Sequence, residues 1–260
     1  MIVSCEKLRE TSPQIIKNIK IKIEYDGTNF LGFQKQAQGR TIQGEIEKAL
    51  YIICGSQIKT IGGGRTDSGV HAKGQILNFK TTKDFSVDTW VRALNGNLPD
   101  DISVIEASEV PMDFHARYSA IARHYRYKIF NRKIRSPLFL KYMYWFPYEL
   151  DKEAMKTSWL NLVGTWDFSA CCKSISKKGN MKCTVINTEF KYEDNEIILD
   201  IIANRFLHGM VRSLVGTLLL VGNNKIKVKD FINIIKSGKR ELVGSSVPAH
   251  GLCLMNIIYN

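Results

Sequence analysis

Apolar and charged residues alternate from Ile19 to Tyr25 (IKIKIEY), the period-two mark of a half-buried strand. Thr41 then stands where a helix cap belongs, ahead of an apolar stripe at Ile42, Ile46, Ala49, Leu50 and Ile53. A glycine-rich loop follows, Gly62-Gly63-Gly64, leading into Arg65-Thr66-Asp67-Ser68-Gly69-Val70-His71-Ala72. Residues 75–80 predict a strand, 86–95 a helix carrying Trp90, Val91 and Leu94, and 102–107 another strand, a β-α-β-α-β series. In the second half a strand at 123–130 precedes a basic loop and a helix near 151–163. A hairpin covers about 185–203, with its turn at Glu193-Asp194-Asn195. Helices at 206–221 and 229–237 and a strand at 251–259 complete the pattern.

Strands interleaved with helices, together with close hairpin pairings, give an α+β class with a mainly antiparallel mixed sheet. Residues 1–17 are polar and read as an N-terminal tail. Residues 18–114 form an N-terminal α/β subdomain that carries the glycine-rich loop, and 115–260 form a C-terminal α/β subdomain. No Pro/Ser-rich linker separates them, so the two are expected to pack together.

Charge changes this picture more than composition does. The chain has 37 Lys plus Arg against 25 Asp plus Glu, a formal net charge of +12, which favours a polyanionic partner. A membrane is disfavoured: no run approaches the roughly 20 apolar residues of a spanning helix, and the most apolar stretch, Phe206 to Gly222, carries His208 and Arg212. The N-terminus lacks a basic flank followed by an apolar run and a cleavage site, so a cytoplasmic protein is expected. The six cysteines show no zinc-type spacing and read as free thiols. The five histidines show no HExxH or comparable pattern, so no metal is assigned.

Chemistry-bearing residues gather in three places. The loop GGGRTDSGVHA sets one cation, one hydroxyl, one carboxylate and one imidazole among glycines, without the spacing of a phosphate-binding GxGxxG or GxxxxGK[ST] loop. A polar surface turn and a ligand-binding loop both remain open for it. In the helix expected from Phe206, Arg212 stands among apolar residues and needs a partner. It either snorkels to the surface or pairs with a carboxylate such as Asp67, which would hold that acid ionised and oriented. In the strand 123–130, alternation puts Tyr125, Tyr127 and Ile129 on one face and His124, Arg126, Lys128 and Phe130 on the other. One face could position a base while cations reach phosphates. From Phe114 to Tyr148 there is no Asp or Glu, but Arg117, Arg123, Arg126, Lys128, Arg132, Lys133, Arg135 and Lys141 are present, which favours RNA contact over a merely solvated face. Lys173, Lys177, Lys178 and Lys182 form a second cluster, for which a solvated loop is as good an account.

These segments resemble the tRNA pseudouridine synthase A family along nearly the whole chain. The matching residues are Tyr25-Asp26-Gly27-Thr28-Asn29-Phe30 with Gly32-Phe33-Gln34, Thr41-Ile42-Gln43-Gly44 and GGGRTDSGVHA at 62–72. Further on come Ala93-Leu94-Asn95, Leu98-Pro99, Phe114-His115-Ala116-Arg117, Arg123 to Tyr127, Asp167-Phe168-Ser169, Phe206-Leu207-His208 with Met210-Val211-Arg212, and Ala249-His250-Gly251-Leu252. The resemblance implies a pseudouridine synthase-like fold around a central basic cleft. It also implies a cofactor-free homodimer that isomerises uridine at positions 38, 39 and 40 of the tRNA anticodon stem-loop. By matching motifs, Asp67 is the catalytic aspartate, Arg65 helps hold the flipped nucleotide, Tyr125 lines the uracil and Arg212 partners Asp67. Arg123, Arg126, Lys128 and His71 are further candidates for RNA contact. The departures are Ser68 in place of Ala, Phe33 in place of the frequent Trp, and Arg205 and Gly209 around the FLH…MVR motif. Two rivals remain: a non-catalytic RNA-binding protein with the same basic surface, and a nucleoside or glycoside hydrolase, which usually needs two cooperating carboxylates.

Overall fold

The computed structural model describes residues 15–172 and 179–260. The expectations for the tail at 1–14, for Cys5 and for Lys173, Lys177 and Lys178 lie outside the described residues. In chain order the elements are β1 (Lys17–Tyr25), α1 (Ile42–Cys54), β2 (Thr60–Gly62), β3 (His71–Thr81), α2 (Val87–Asn95), β4 (Ile102–Val110), β5 (Ala122–Phe130), β6 (Tyr144–Trp145), α3 (Lys152–Leu160), β7 (Gly164–Asp167), β8 (Lys182–Glu193), β9 (Glu196–Ala203), α4 (Met210–Gly222), α5 (Val228–Lys236) and β10 (Leu252–Ile258).

Local sequence accounts for most of these elements. In β1 the alternation buries Ile19, Ile21, Ile23 and Tyr25. Thr41 caps α1 by accepting a hydrogen bond from the Gly44 amide, and the helix turns Ile42, Ile46, Ala49 and Leu50 into the core. Ser86 caps α2 in the same way, and Trp90 and Leu94 are the residues it buries. Tyr125, Tyr127 and Ile129 of β5 are all buried, as their alternation predicts.

The strands form one mixed sheet in the order β4-β1-β3-β10-β5-β9-β8-β7, with β2 added to β3 and β6 to β5. Among the described residues only β10–β3 and β5–β6 pair in parallel; every other pairing is antiparallel. The α+β class with a mainly antiparallel mixed sheet is therefore the observed one. The last strand of the chain, β10, sits between β3 and β5 and joins the two halves of the molecule. Cys253 and Leu254 pair with His71 and Ala72 on one side, while Leu254 pairs with Tyr125 on the other. No described helix is long and apolar enough to cross a membrane.

Two elements differ from the sequence pattern, and both bear on function. Strand β3 begins at His71 instead of 75. Residues 71–74 (HAKG) have no alternation of their own; they are drawn into the sheet by Tyr25 and Cys253 on the neighbouring strands. Helix α4 begins at Met210, not at 206. Its apolar spacing runs back to Leu207, but Gly209 has φ +74°, a left-handed conformation that ends any helix extended backwards through it. Phe206, Leu207 and His208 therefore lie in a loop, and His208 is not one helical turn from Arg212.

Candidate active site

The glycine-rich loop leaves β2 and returns as its antiparallel partner β3. Nearly every turn of it is tied down. The Gly63 amide donates to the Ile76 carbonyl at 2.7 Å, and the Val70 amide to the Asp67 carbonyl at 3.2 Å. Phe33 donates its amide to the Thr66 carbonyl at 3.1 Å, and the Tyr25 and Thr66 hydroxyls are hydrogen-bonded at 2.8 Å. Gln75 Nε2 donates to the Gly64 carbonyl at 2.9 Å. Thr66 is buried by these contacts, whereas Asp67 keeps 22% of its side chain exposed and turns it towards solvent. Such a loop presents a carboxylate at a fixed position, as attack on a substrate requires.

Each carboxylate oxygen of Asp67 faces a cation-capable side chain, one from α4 and one from the loop before it. Arg212 Nη1 lies 3.5 Å from Oδ2, and His208 Nε2 lies 3.4 Å from Oδ1. Arg212 is itself anchored: its Nε donates to the Val247 carbonyl at 2.7 Å, and the Val247 amide donates back to the Arg212 carbonyl at 3.2 Å. The strand-like segment holding Val247 reaches α4 because Gly216 is a glycine. A Cβ there would stand 1.9 Å from the Ser245 carbonyl oxygen, so no other residue admits this approach.

Tyr125 enters from β5, 7% exposed, with its ring edge-on to Phe206 at 4.9 Å. Its hydroxyl reaches the Arg65 carbonyl at 3.4 Å. Burial, reinforced by the nearby Tyr25 and Asp67, pushes this phenol far above its ordinary pKa, so it stays protonated at neutral pH. Asp67, Tyr125, Arg212 and His208, with Arg65 and Arg205 exposed at the mouth, line one cleft of about 1190 Å³. Asp67 is the one carboxylate among the described residues that line it. This geometry sets a single carboxylate, faced by two cation-capable side chains, beside an aromatic wall.

A family model described as tRNA pseudouridine synthase matches residues 21–119 and 160–260. The chain belongs to that family. Among curated relatives, a tRNA pseudouridine synthase A of Caldicellulosiruptor saccharolyticus is 42% identical over 244 residues, covering 94% of this chain and 100% of its own. One of Halalkalibacterium halodurans is 43% identical over 238 residues, covering 91% of this chain and 90% of its own. One of Acetivibrio thermocellus is 42% identical over 244 residues, covering 94% and 100%.

Membership in the tRNA pseudouridine synthase family gives the departures a local meaning. The Ser68 hydroxyl donates to the Phe30 carbonyl at 3.0 Å, adding one more tie to the loop. Gly62 lies against the Phe33 ring, where a Cβ would meet its edge at 2.3 Å. Arg205 stands exposed on the cleft wall.

The cations proposed for RNA contact separate into different places. Arg123 reaches the cleft wall, but its guanidinium donates to the carbonyls of Gly63, Arg117, Ala120 and Asn204, so it clamps the glycine-rich loop to β5. Arg126 and Lys128 do not line the cleft. Arg126 Nε lies 2.9 Å from Asp200 Oδ1, and His124 Nε2 lies 2.6 Å from the same oxygen. Strand alternation sends this charge to the face opposite Tyr125, where a partly buried carboxylate engages it. His71 is likewise kept from the cleft. It is 5% exposed, its Nδ1 accepts from the Gly27 amide at 3.1 Å, and its ring packs on Tyr142 at 5.1 Å. His208 is the residue of the site that helical periodicity misplaced; its signal was the Phe206-Leu207-His208 motif followed by Gly209.

The Asp200 cluster makes a pH prediction. Burial raises the Asp200 pKa, but hydrogen bonds from His124 and Arg126 outweigh it and leave the carboxyl below its ordinary value. A carboxyl depressed in the folded state contributes stability above its unfolded pKa, about 3.9, and loses it as pH falls through the folded value. Thermal melting of the wild type should therefore drop below about pH 4. Asp200→Asn should begin less stable at neutral pH and show a shallower acid slope; equal slopes would remove the cluster from the acid response.

Proposed function

We propose that this protein isomerises uridine to pseudouridine in tRNA, acting as a cytoplasmic homodimer on the anticodon stem-loop at positions 38, 39 and 40. The observation that carries this reading is the single carboxylate, Asp67, paired with Arg212 and held beside Tyr125 in a cleft of a tRNA pseudouridine synthase family member. The N1–C1′ bond of the nucleotide breaks and a C5–C1′ bond forms. The proton on C5 is lost to solvent, and N1 gains one, so the net change is isomerisation. Asp67 either attacks C1′ or removes the sugar proton that gives a glycal. The target base is stacked in RNA and must be flipped into the cleft. Tyr125 packs against the uracil and positions it. Arg65, exposed at the mouth, holds the flipped nucleotide.

The absence of a second carboxylate from the described cleft lining disfavours hydrolysis by an acid–base pair. The test is release of tritium from C5-labelled uridine in a tRNA transcript, with the protein in excess EDTA. Release matched by pseudouridine in the recovered RNA is expected. Folded protein that binds tRNA tightly without release would sink the isomerase reading in favour of an RNA-binding module, and free uracil would favour a hydrolase.

A further inference from the structure

A second cavity, of about 540 Å³, opens beside the catalytic cleft between α1, the segment leading into β2, and Gln34-Lys35. One wall is the exposed face of α1. Gly44, Glu47, Lys48 and Tyr51 recur there at helical spacing, away from the stripe that Ile42, Ile46, Ala49 and Leu50 bury. The other wall is Gln57, Ile58, Lys59 and Thr60. Gln34, Gln43 and Thr60 line both this groove and the catalytic cleft, so the two are continuous.

Glu47 is the one carboxylate among the described residues of the groove, and it is committed. Its Oε1 accepts from the Thr60 amide at 3.0 Å, its Oε2 pairs with Lys35 Nζ at 3.0 Å, and only 12% of its side chain is exposed. Lys35 and Glu47 neutralise each other. Lys48 and Lys59 are exposed and have no ion-pair partner among the described residues, so the groove carries two uncompensated cations. Tyr51, 53% exposed, adds an open aromatic ring. Cations with an open ring in a polar groove suit a polyanion with stackable bases; they do not suit an apolar partner.

We infer that this groove is a second RNA-binding site, in which Lys48 and Lys59 grip backbone phosphates of the same tRNA whose uridine occupies the catalytic cleft. The inference rests on the tRNA-modifying reading, and its continuity with the cleft is what commits it to RNA over an acidic protein.

The full-length Lys48→Gln/Lys59→Gln variant tests it against whole tRNA, by direct binding and by tritium release. Kd and KM are expected to rise about tenfold near 0.1 M salt, and the slope of log K against log salt should fall by about 1.5, at roughly 0.7–0.9 per lost phosphate contact. The kcat should stay within about twofold, and melting should be unchanged, because neither lysine touches the catalytic loop. Lys48→Arg/Lys59→Arg should retain wild-type affinity. An unchanged Kd and salt slope would overturn the inference while leaving wild-type turnover, and so the functional reading, intact. A fall in kcat with the salt slope unchanged would overturn it too, by tracing the effect to the catalytic loop instead of the RNA. Should wild type release no tritium, the functional reading fails, and the binding slope still decides the groove.

Discussion

Asp67→Asn is expected to reduce tritium release by roughly 10⁴-fold or more, the scale on which a lone nucleophile is lost, or about 5.5 kcal/mol in barrier height at 1.36 kcal/mol per decade. The amide has nearly the shape of the carboxylate, so the loop ties at Gly63, Thr66 and Val70 remain. It can neither attack C1′ nor take a sugar proton. tRNA binding should persist or tighten slightly, since the substitution removes a negative charge from a cleft that receives an anion. Single-turnover release with enzyme in excess separates the two quantities. Activity retained within tenfold, with binding intact, would remove Asp67 from the chemistry.

Arg212→Met should lower kcat by about 10²–10³-fold, a loss of the size seen when one fixed charge partner of a reacting group is removed. Arg212 performs two tasks at once, facing Asp67 Oδ2 and donating to the Val247 carbonyl. Methionine fills the space of the stem but leaves that carbonyl without its donor, so melting should show a loss of about 1–2 kcal/mol. Lysine restores a positive charge on a single nitrogen and cannot serve both acceptors. Arg212→Lys should therefore recover stability and tRNA affinity better than kcat. In the Asp67→Asn background, Arg212→Met should cost little further activity, because the two side chains act as a unit. Fully additive effects of the two substitutions would show that the pair has no catalytic meaning.

Much of this architecture is written in short-range pattern. The alternation of β1 and β5, the capped stripes of α1 and α2, and the turn of the β8–β9 hairpin each depend on neighbours within a few residues. Periodicity therefore finds them. The motif GGGRTDSGVHA with Arg212 marks the candidate site only through its resemblance to the tRNA pseudouridine synthase A family, since residue types alone leave both a surface turn and a snorkelling arginine open. The start of β3 and the position of His208 were not legible in this way. The first depends on β1 and β10 as sheet partners; the second depends on a left-handed Gly209 inside an unbroken apolar rhythm.

The sequence by itself determined the α+β class and the excess of positive charge, and its family resemblance singled out the candidate carboxylate and aromatic residue. Only the tertiary structure decided where each charge is used. Arg123 became a clamp on the loop, Arg126 was engaged by Asp200, His71 was buried at the start of β3, and His208 was brought to Asp67. A cation in a sequence has no partner until chain segments far apart meet. Here they meet across β10, the last strand, which sets Ala72 and Tyr125 on either side of Leu254.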